Sequence, residues 1–394
     1  MGAGRFVVAV YGPTLVFAVG QGAVLPIIAL SAREQGASVG VAGLVVGLAG
    51  VGLMAGNLPA GALAARLGER RAMLVAVLVA SVALAGCMVA RSVVMLGASI
   101  LVIGMADAAF NLARQTYLTE TLPPHARGRG MSALGGSSRI GLAVGPFAGA
   151  WAIGPLGTDG AYLVHLAAAA ATLVLLCFLP DLPGTDAGSG RGAAGPAAGT
   201  TVWGVLRKHR RALTTVGVAA CLVGAARSAR ITVVPLWCEH AGMDAAQTSL
   251  VAGVAGIVEI VLFYPAGALM DRVGRASVGA TAMLVVGTGL ALLPVTHGLA
   301  AITAAASLVG LGNGLSSGLV LTMGADIAPL EGRPLFFGGW RLMADLGVVA
   351  GPLAVGAVAA VSLIAACGAA AALGAGAAGT VWRWAPRRPA ARAG

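Results

Sequence analysis

Long apolar runs, separated by short polar and basic segments, dominate this chain. Crossing the hydrocarbon core of a bilayer takes about 20 mostly apolar residues in a helix. By that measure the pattern predicts twelve transmembrane spans, numbered 1 to 12 in chain order: 5–29, 39–64, 72–90, 93–118, 131–155, 160–180, 212–236, 247–270, 278–296, 300–325, 335–358 and 361–382. The runs are continuously apolar rather than alternating, so they favour helices over the strands of a membrane barrel.

The composition supports a membrane protein. Hydrophobic residues make up 58% of the 394 residues and charged residues only 10%, whereas a soluble domain has about 25% charged residues. The first run is longer than the core of a signal peptide and eleven more follow it, so we interpret it as span 1. The five cysteines are scattered without a CxxC pair, which favours neither a disulfide framework nor a zinc site.

The net charge of +11 reflects the basic residues that lie between the spans. When the chain is threaded through twelve spans, only Arg33 and Arg91 fall on one side. The other basic residues of the loops and termini fall on the opposite side: Arg5, Arg66, Arg70, Arg71, Arg127, Arg129, Arg191, Arg207, Lys208, Arg210, Arg211, Arg272, Arg275, Arg333, Arg383, Arg387, Arg388 and Arg392. Because cytoplasmic loops are enriched in Lys and Arg, we expect both termini in the cytoplasm and the chain in a bacterial inner membrane.

The chain repeats itself with an offset of 206 residues. The pentapeptide PAGAL occurs at 59–63 and again at 265–269, and the same offset relates Gly104 to Gly310 and the pair Gly145-Pro146 to Gly351-Pro352. Each copy has six spans, an even number, so both halves enter the membrane in the same orientation. The predicted domains are residues 1–180 and 212–394. The segment 181–211 is predicted to be a flexible cytoplasmic linker that ends in an interfacial basic segment, 207–211.

Two six-span halves, a long central loop and a repeated loop motif resemble the major facilitator superfamily. The motif G-x-L-x-D-R-x-G-R follows span 8 in full, and it follows span 2 with Ala65 in place of the acidic residue. A second signature, G-x-x-x-G-P-x-x-G, lies in span 5 and, in a related form, in span 11. The family associates it with antiporters, particularly drug efflux proteins. The matching residues are Gly61, Arg66, Gly68, Gly267, Asp271, Arg272, Gly274 and Arg275 in the loops, and Gly141, Gly145, Pro146, Gly149, Gly351 and Pro352 in the spans.

The resemblance implies an all-α membrane protein whose twelve transmembrane helices form two pseudo-symmetric six-helix bundles. It also implies that the loop motifs form a cytoplasmic latch, stronger at Asp271 and Arg272 than in the first half; the alternative is that these charges only mark the topology. One position departs from the family. Drug antiporters commonly carry an arginine in span 4, four residues before a glycine that is Gly104 here, and this chain has Ile100 at that place.

Polar groups inside membrane spans are costly, so each is a candidate for function. The charged ones are Asp107, Arg114, Arg139, Arg227, Arg230, Glu259, Arg341 and Asp345. In the resembled fold, spans 1, 4, 7 and 10 line the central cavity, and here all four carry polar residues at positions that the repeat relates. We therefore predict a substrate site built from Gln21, Asp107, Asn111, Arg227, Asn313 and Ser317.

Asp107 and Glu259 are the predicted carriers of a coupled proton, because carboxylates within membrane spans commonly form proton relays. A static ion pair is the alternative for each residue: Asp107 with Arg227 or Arg114, and Glu259 with Arg139. Two other signals carry little weight. The sequence GAGAAG at 374–379 matches a nucleotide-binding pattern but lies inside span 12 with no strand before it, and the scattered histidines predict no metal site.

The combined prediction is a secondary transporter and not an enzyme: a proton-coupled antiporter that exports a small organic molecule or drug by rocker-switch alternating access. We expect its partners to be the substrate, protons and the lipid bilayer, with no nucleic acid, no cofactor beyond the proton gradient and a monomeric state. The alternative is an importer or uniporter of the same fold for a sugar or an organic anion. Arg227 and Arg230 on one span keep this alternative open, because together they suit a carboxylate.

Overall fold

A computed structural model describes residues 3–179, 210–329 and 333–385. Every regular element in these ranges is helical, and the helices follow the predicted spans. They are Ala3–Val24 and Ile28–Glu34 (span 1), Val39–Leu67 (span 2), Glu69–Met88 (span 3), Val93–Thr121 (span 4), Pro124–Leu156 (span 5), Asp159–Cys177 (span 6), Val218–His240 (span 7), Ala245–Val273 (span 8), Arg275–Leu292 (span 9), Gly298–Leu315 and Leu319–Ile327 (span 10), Arg333–Ala359 (span 11) and Leu363–Trp384 (span 12). The predicted all-α fold of twelve transmembrane helices is confirmed.

Eleven helices in the described part of the chain are long and apolar enough to cross a membrane. The helix of span 5 is not among them; besides glycines, serines and prolines it contains Arg139. Its counterpart in the repeat, span 11, is among the eleven. Span 5 also begins earlier than predicted, at Pro124 instead of residue 131. The reason is that Pro124 suits the first turn of a helix, where no backbone N–H is needed.

Two spans that were predicted as continuous helices are interrupted. Span 1 breaks after Val24 and resumes at Ile28, around Pro26, which has no N–H to continue the helical ladder. Span 10 ends its first helix at Leu315, and Gly318 adopts a left-handed conformation with φ +80° before the second helix begins. Both interruptions leave short irregular backbone segments within an otherwise helical span.

A short lead-in precedes span 7. It consists of the helical turn Arg210–Ala212 and the π-helical turn Leu213–Gly217. The predicted linker and most of the predicted basic segment, up to residue 209, lie outside the described residues.

The described residues form two compact units. One contains those of Met1–Gly192 and Gly242–Gly253, and the other contains those of Ala193–Ala241 and Val254–Gly394. In the first unit span 1 packs on spans 5 and 6, and span 4 packs on spans 2 and 3. In the second unit span 7 packs on spans 11 and 12, and span 9 packs on spans 10 and 12. Each unit therefore buries its own helix interfaces.

Candidate functional site

The glycines of the span 5 signature bring that helix into backbone contact with span 1. A Cβ atom added at Gly141 would lie 2.5 Å from the carbonyl oxygen of Leu15, and one added at Gly145 would lie 2.7 Å from the backbone nitrogen of Ala23. Gly149 is also packed on Ala23, where a Cβ would lie 3.2 Å from the Cα atom. Small residues allow membrane helices to approach this closely, and van der Waals packing then stabilises the pair.

The second half repeats this packing at positions that differ by 206 residues. Gly141 meets Leu15, and Gly347 meets Cys221; Gly145 meets Val19, and Gly351 meets Ala225. The same holds for another helix pair, since Gly104 meets the carbonyl oxygen of Ala49 and Gly310 that of Ala255. Pro146 and Pro352 lie inside the two corresponding helices. The offset found in the sequence is therefore also the offset of the interhelical contacts.

Asp107 is the central polar residue of the first unit. Its carboxylate accepts a hydrogen bond from the side chain of Gln21 and lies in the electrostatic field of Arg114. The Oδ1 atom is buried and has no hydrogen-bond partner among the described residues. Asn111 lies one turn further along the same face of span 4 and is half-buried. The Asp107 cluster thus consists of Gln21, Asp107 and Arg114. Its carboxylate can accept a further hydrogen bond.

Arg114 points into the first unit and not towards the end of its helix. Its guanidinium carbon lies 5.7 Å from the centre of the Phe110 ring, a cation–π distance. Its Nε atom is buried without a hydrogen-bond partner in the described part of the chain. The side chain lines a cavity of about 10 Å³ together with Thr14 and Tyr117, which is close to the smallest volume that holds one water molecule.

Arg227 and Asn313 lie together in the second unit. The Nε atom of Arg227 donates to the Asn313 side-chain oxygen at 2.5 Å. Ser317, one turn after Asn313, donates its hydroxyl hydrogen to the Asn313 backbone carbonyl at 3.3 Å, and Ser316 does the same at 2.9 Å. The break in span 10 follows directly, so these hydroxyl groups satisfy a carbonyl at the end of a helix.

A second cluster on span 7 pairs Arg230 with Glu259 of span 8. The Nη2 atom of Arg230 lies 3.1 Å from Oε2 of Glu259, and the two side chains are 29% and 14% exposed. The sequence offered Arg139 as the static partner of Glu259; the partner within this unit is Arg230. On span 11, Arg341 binds Asp345 at 3.1 Å through one nitrogen and both carboxylate oxygens.

The Arg230–Glu259 pair gives a stability test that separates a structural role of Glu259 from a proton-carrying one. If the pair is structural, Glu259→Gln lowers the free energy of unfolding by about 1.5–3 kcal/mol, the contribution of a charged hydrogen bond. Adding Arg230→Gln then costs little more, because the two residues act as a unit. Detergent-induced unfolding of the purified protein measures both. A Glu259→Gln variant with unchanged stability that has lost proton coupling would contradict the structural role.

The loop motifs end their helices with glycine in a conformation that other residues rarely adopt. Gly68 has φ +79° after span 2, and Gly274 has φ +102° after span 8. Gly61 and Gly267, about two turns earlier, are exposed, as are Arg66, Asp271 and Arg272. The latch predicted at Asp271 remains a prediction. Arg70 behaves differently: its guanidinium donates to the backbone carbonyls of Leu176 and Cys177, both at 3.0 Å, and so caps the end of span 6.

The sequence interpretation missed two residues near these sites, Asp326 and His165. Asp326, at the end of span 10, forms an ion pair with Arg275 of the loop motif. The two residues are far apart in the chain, so the sequence did not indicate this pair. His165 is buried in span 6. It is the one histidine inside a predicted span, and this was the signal that could have singled it out.

The comparisons with known proteins agree with this architecture. The sequence model described as "Major Facilitator Superfamily" matches residues 13–331 and, in a second match, residues 216–394. A point mutant of the nucleoside transporter NupG is similar in structure, with a TM-score of 0.75 at 12% identity, covering 96% of this chain and 98% of that one. A D-xylose–proton symporter has a TM-score of 0.71 at 15% identity, covering 97% and 98%. A comparison with curated protein sequences finds no match.

Proposed function

We propose that this chain, which belongs to the Major Facilitator Superfamily, is a proton-coupled antiporter that exports a small organic molecule. The observation that carries the proposal is the Asp107 cluster. A carboxylate lies within a membrane span, is hydrogen-bonded by Gln21, and has one buried oxygen without a hydrogen-bond partner in the described ranges. Such residues are rare in membrane spans and commonly belong to proton relays.

The coupling follows from the charge of Asp107. When the carboxyl is protonated, the cluster loses one negative charge and Arg114 loses its nearby counter-charge. A substrate that binds near the deprotonated carboxylate is then released, and departure of the proton on the other side restores the binding charge. Only the substrate-bound or the protonated form changes conformation readily. Movement of substrate in one direction is therefore tied to movement of protons in the other.

The direction of export rests on the span 5 signature. Gly141, Gly145 and Gly149 all pack against the backbone of span 1, as the family's antiporter signature would require of close-packed helices. Ile100, at the place of the antiporters' arginine, is buried. The proton would therefore be carried at Asp107 without help from that arginine. We place the protein in a bacterial inner membrane as a monomer with both termini in the cytoplasm, and the proton gradient is its only energy source.

The test uses purified protein in liposomes that contain a trapped pH-sensitive dye. Ethidium added outside enters down its gradient, and an antiporter then expels protons, so the interior becomes alkaline. D-Xylose or uridine carried by a symporter would make the interior acidic instead. We expect alkalinisation with ethidium or another organic cation of the same panel, and none in protein-free liposomes. Acidification, or carriage that leaves the internal pH unchanged, would contradict proton antiport.

A second candidate function is import of a sugar, a nucleoside or an organic anion. The Arg227–Asn313 hydrogen bond supports it, because Asn313 fixes the plane of the guanidinium and so orients its other donors. The likeness to a nucleoside transporter and to a D-xylose–proton symporter agrees with this candidate but concerns the fold. The predicted binding residues of the second unit, Arg227, Asn313 and Ser317, would then select the substrate.

A substitution at Arg227 tests this second function. If an organic anion is carried, Arg227→Gln lowers uptake of succinate by about 10- to 100-fold, because one charged hydrogen bond contributes about 1.5–3 kcal/mol. Uptake of the uncharged D-xylose by the same liposomes serves as the control. Equal losses for both compounds would indicate damage to the protein, and unchanged succinate uptake would exclude Arg227 as an anion ligand.

A further inference from the structure

A stripe of polar side chains runs along span 6 where this helix packs on span 1. Thr158 donates to a carboxylate oxygen of Glu34 at 2.6 Å, and the Tyr162 hydroxyl donates to Ser31 Oγ at 3.0 Å. Glu34 is exposed, whereas Ser31 and Tyr162 are buried. One turn further along span 6, on the same face, lies His165. The stripe therefore leads from the surface into the first unit, over about 10 Å from residue 158 to residue 165.

His165 is a buried polar group for which the fold supplies no hydrogen bond. It is 1% exposed, and neither ring nitrogen has a partner among the described residues. Leaving a buried polar group without a hydrogen bond destabilises a fold. The ring lies 5.2 Å from the ring of Phe17, edge to face. A Cβ atom added at Gly20 would lie 2.8 Å from the Cα and Cγ atoms of His165, so the glycine makes the room that the histidine occupies.

His165 and Asp107 contact neighbouring residues of span 1. Gln21, which hydrogen-bonds Asp107, is the next residue after Gly20. Phe17, on which His165 packs, in turn contacts Phe110 at a ring distance of 4.6 Å. Phe110 is one turn after Asp107 on span 4. The histidine is thus linked to the polar stripe along span 6 and to the Asp107 cluster through residues 17–21 of span 1.

The second half of the repeat has no such arrangement. Span 12, the counterpart of span 6, contains neither histidine nor tyrosine, and the residue that corresponds to Gly20 is Ala226. The glycine contacts of spans 1 and 5 are repeated in spans 7 and 11, so the helix packing has been retained while these polar residues have not. A purely structural histidine would gain nothing from being unsatisfied, which points to a role specific to the first half.

We propose that Tyr162 and His165 form a proton-transfer path from Glu34, at the end of span 1, to the carboxylate of Asp107. This proposal rests on the proposed proton-coupled function and names the route by which the proton arrives. One ring nitrogen of His165 accepts a proton from the Tyr162 side, and the other ring nitrogen releases its own proton towards Gln21 and Asp107. One proton enters for each that leaves, so the ring keeps its charge; water molecules complete the hydrogen-bonded chain. The positive-inside pattern puts the Glu34 end on the outer side.

Several described residues around the path are charged or titratable. Cys87 of span 3, Asp159 at the start of span 6 and Glu34 lie within electrostatic range of Tyr162. Span 5 also packs on span 6, and its Arg139 has an interaction of its own. Asp107 is the acceptor at the inner end, within electrostatic range of Arg114.

The first experiment needs no substrate. Protein with nitrogen-15-labelled histidine is placed in liposomes of phosphatidylethanolamine and phosphatidylglycerol, and the exchange of the ring N–H with D₂O is followed by solid-state NMR. The His165 signal is identified as the one that His165→Gln removes. On the proposed path the ring proton exchanges within minutes, and Tyr162→Phe slows the exchange at least tenfold. A ring proton that stays unexchanged for hours in the wild type would overturn the proposal.

The second experiment measures transport with ethidium and the trapped pH dye. We expect His165→Gln and Tyr162→Phe to reduce ethidium-driven alkalinisation about tenfold while exchange of labelled for unlabelled ethidium stays within twofold. Thr172→Val is the matched control, since Thr172 is a buried residue of the same helix that donates only to its own helix, at Ala168. Full alkalinisation in both variants would refute the path. If ethidium is not carried even by the wild type, the proposed function fails, and the D₂O experiment decides the path alone.

Discussion

Gly145→Leu abolishes the folded protein, whereas Gly154→Leu in the same helix leaves it intact. A Cβ atom at Gly145 would lie 2.7 Å from the Cα of Gly22 and from the backbone nitrogen of Ala23. These are backbone atoms of span 1, so no side chain can move aside, and the two helices must separate. Overpacking of a core costs about 1–3 kcal/mol even where side chains can adjust, and we expect a larger loss here.

The measurement is the fraction of monodisperse protein after extraction into detergent, together with its melting temperature. Gly154 is a matched control, because it is exposed and a Cβ atom there would meet nothing within 4 Å. Gly351→Leu should repeat the effect in the second half, where Gly351 meets Ala225. Equal behaviour of Gly145→Leu and Gly154→Leu would contradict the close approach of spans 1 and 5.

Asp107→Asn is expected to abolish proton-coupled transport and to weaken substrate binding to that of the protonated protein. Asparagine has the shape and the neutral charge of a protonated aspartate and still bonds Gln21, so the variant behaves as if the proton never leaves. Loss of a proton-transferring group commonly costs 10²-fold or more in rate. Net transport driven by a pH gradient should therefore fall by about that factor. Exchange of labelled for unlabelled ethidium should also fall, to the rate of the wild type at low pH, and should no longer depend on pH.

Asp345→Asn is the control for this substitution. Asp345 is also a carboxylate in a membrane span, but Arg341 binds it through both oxygens. We expect Asp345→Asn to leave the proton flux per substrate unchanged. If Asp107→Asn transports normally against a pH gradient, Asp107 is not the proton carrier, and Glu259 becomes the remaining candidate.

The positions of the helices followed from hydropathy, and their interruptions did not. Burial of apolar side chains in lipid depends on composition, so a run of about 20 residues is recognisable without any tertiary information. The breaks at Pro26 and Gly318 depend on single residues that membrane helices often tolerate, because neighbouring groups can satisfy the freed backbone. Pro146 and Pro352, for example, lie inside continuous helices. Sequence alone does not distinguish the two outcomes.

The repeat and the cost of burying charge in a membrane predicted part of the candidate site. Both singled out Asp107, Gln21, Arg227 and Asn313 one by one; that Gln21 bonds Asp107 and that Arg227 bonds Asn313 is seen only in the structure. The Arg230–Glu259 and Arg275–Asp326 pairs were not predictable, since these residues become neighbours only when consecutive helices fold against each other. His165 was missed because the search for buried charge did not include histidine. Its burial is nevertheless costly, because neither ring nitrogen has a hydrogen-bond partner among the described residues.

The glycine contacts also limit how the protein can change shape. Span 5 touches span 1 through backbone atoms at Gly141, Gly145 and Gly149, which are spaced by one turn each. Sliding one helix by a residue would drive Cβ atoms into carbonyl oxygens, and rotation about the helix axis would do the same. Each of these helix pairs, spans 1 and 5 and spans 7 and 11, therefore moves as one rigid body. During a transport cycle each pair can rotate or shift as a whole, but its two helices cannot slide past each other.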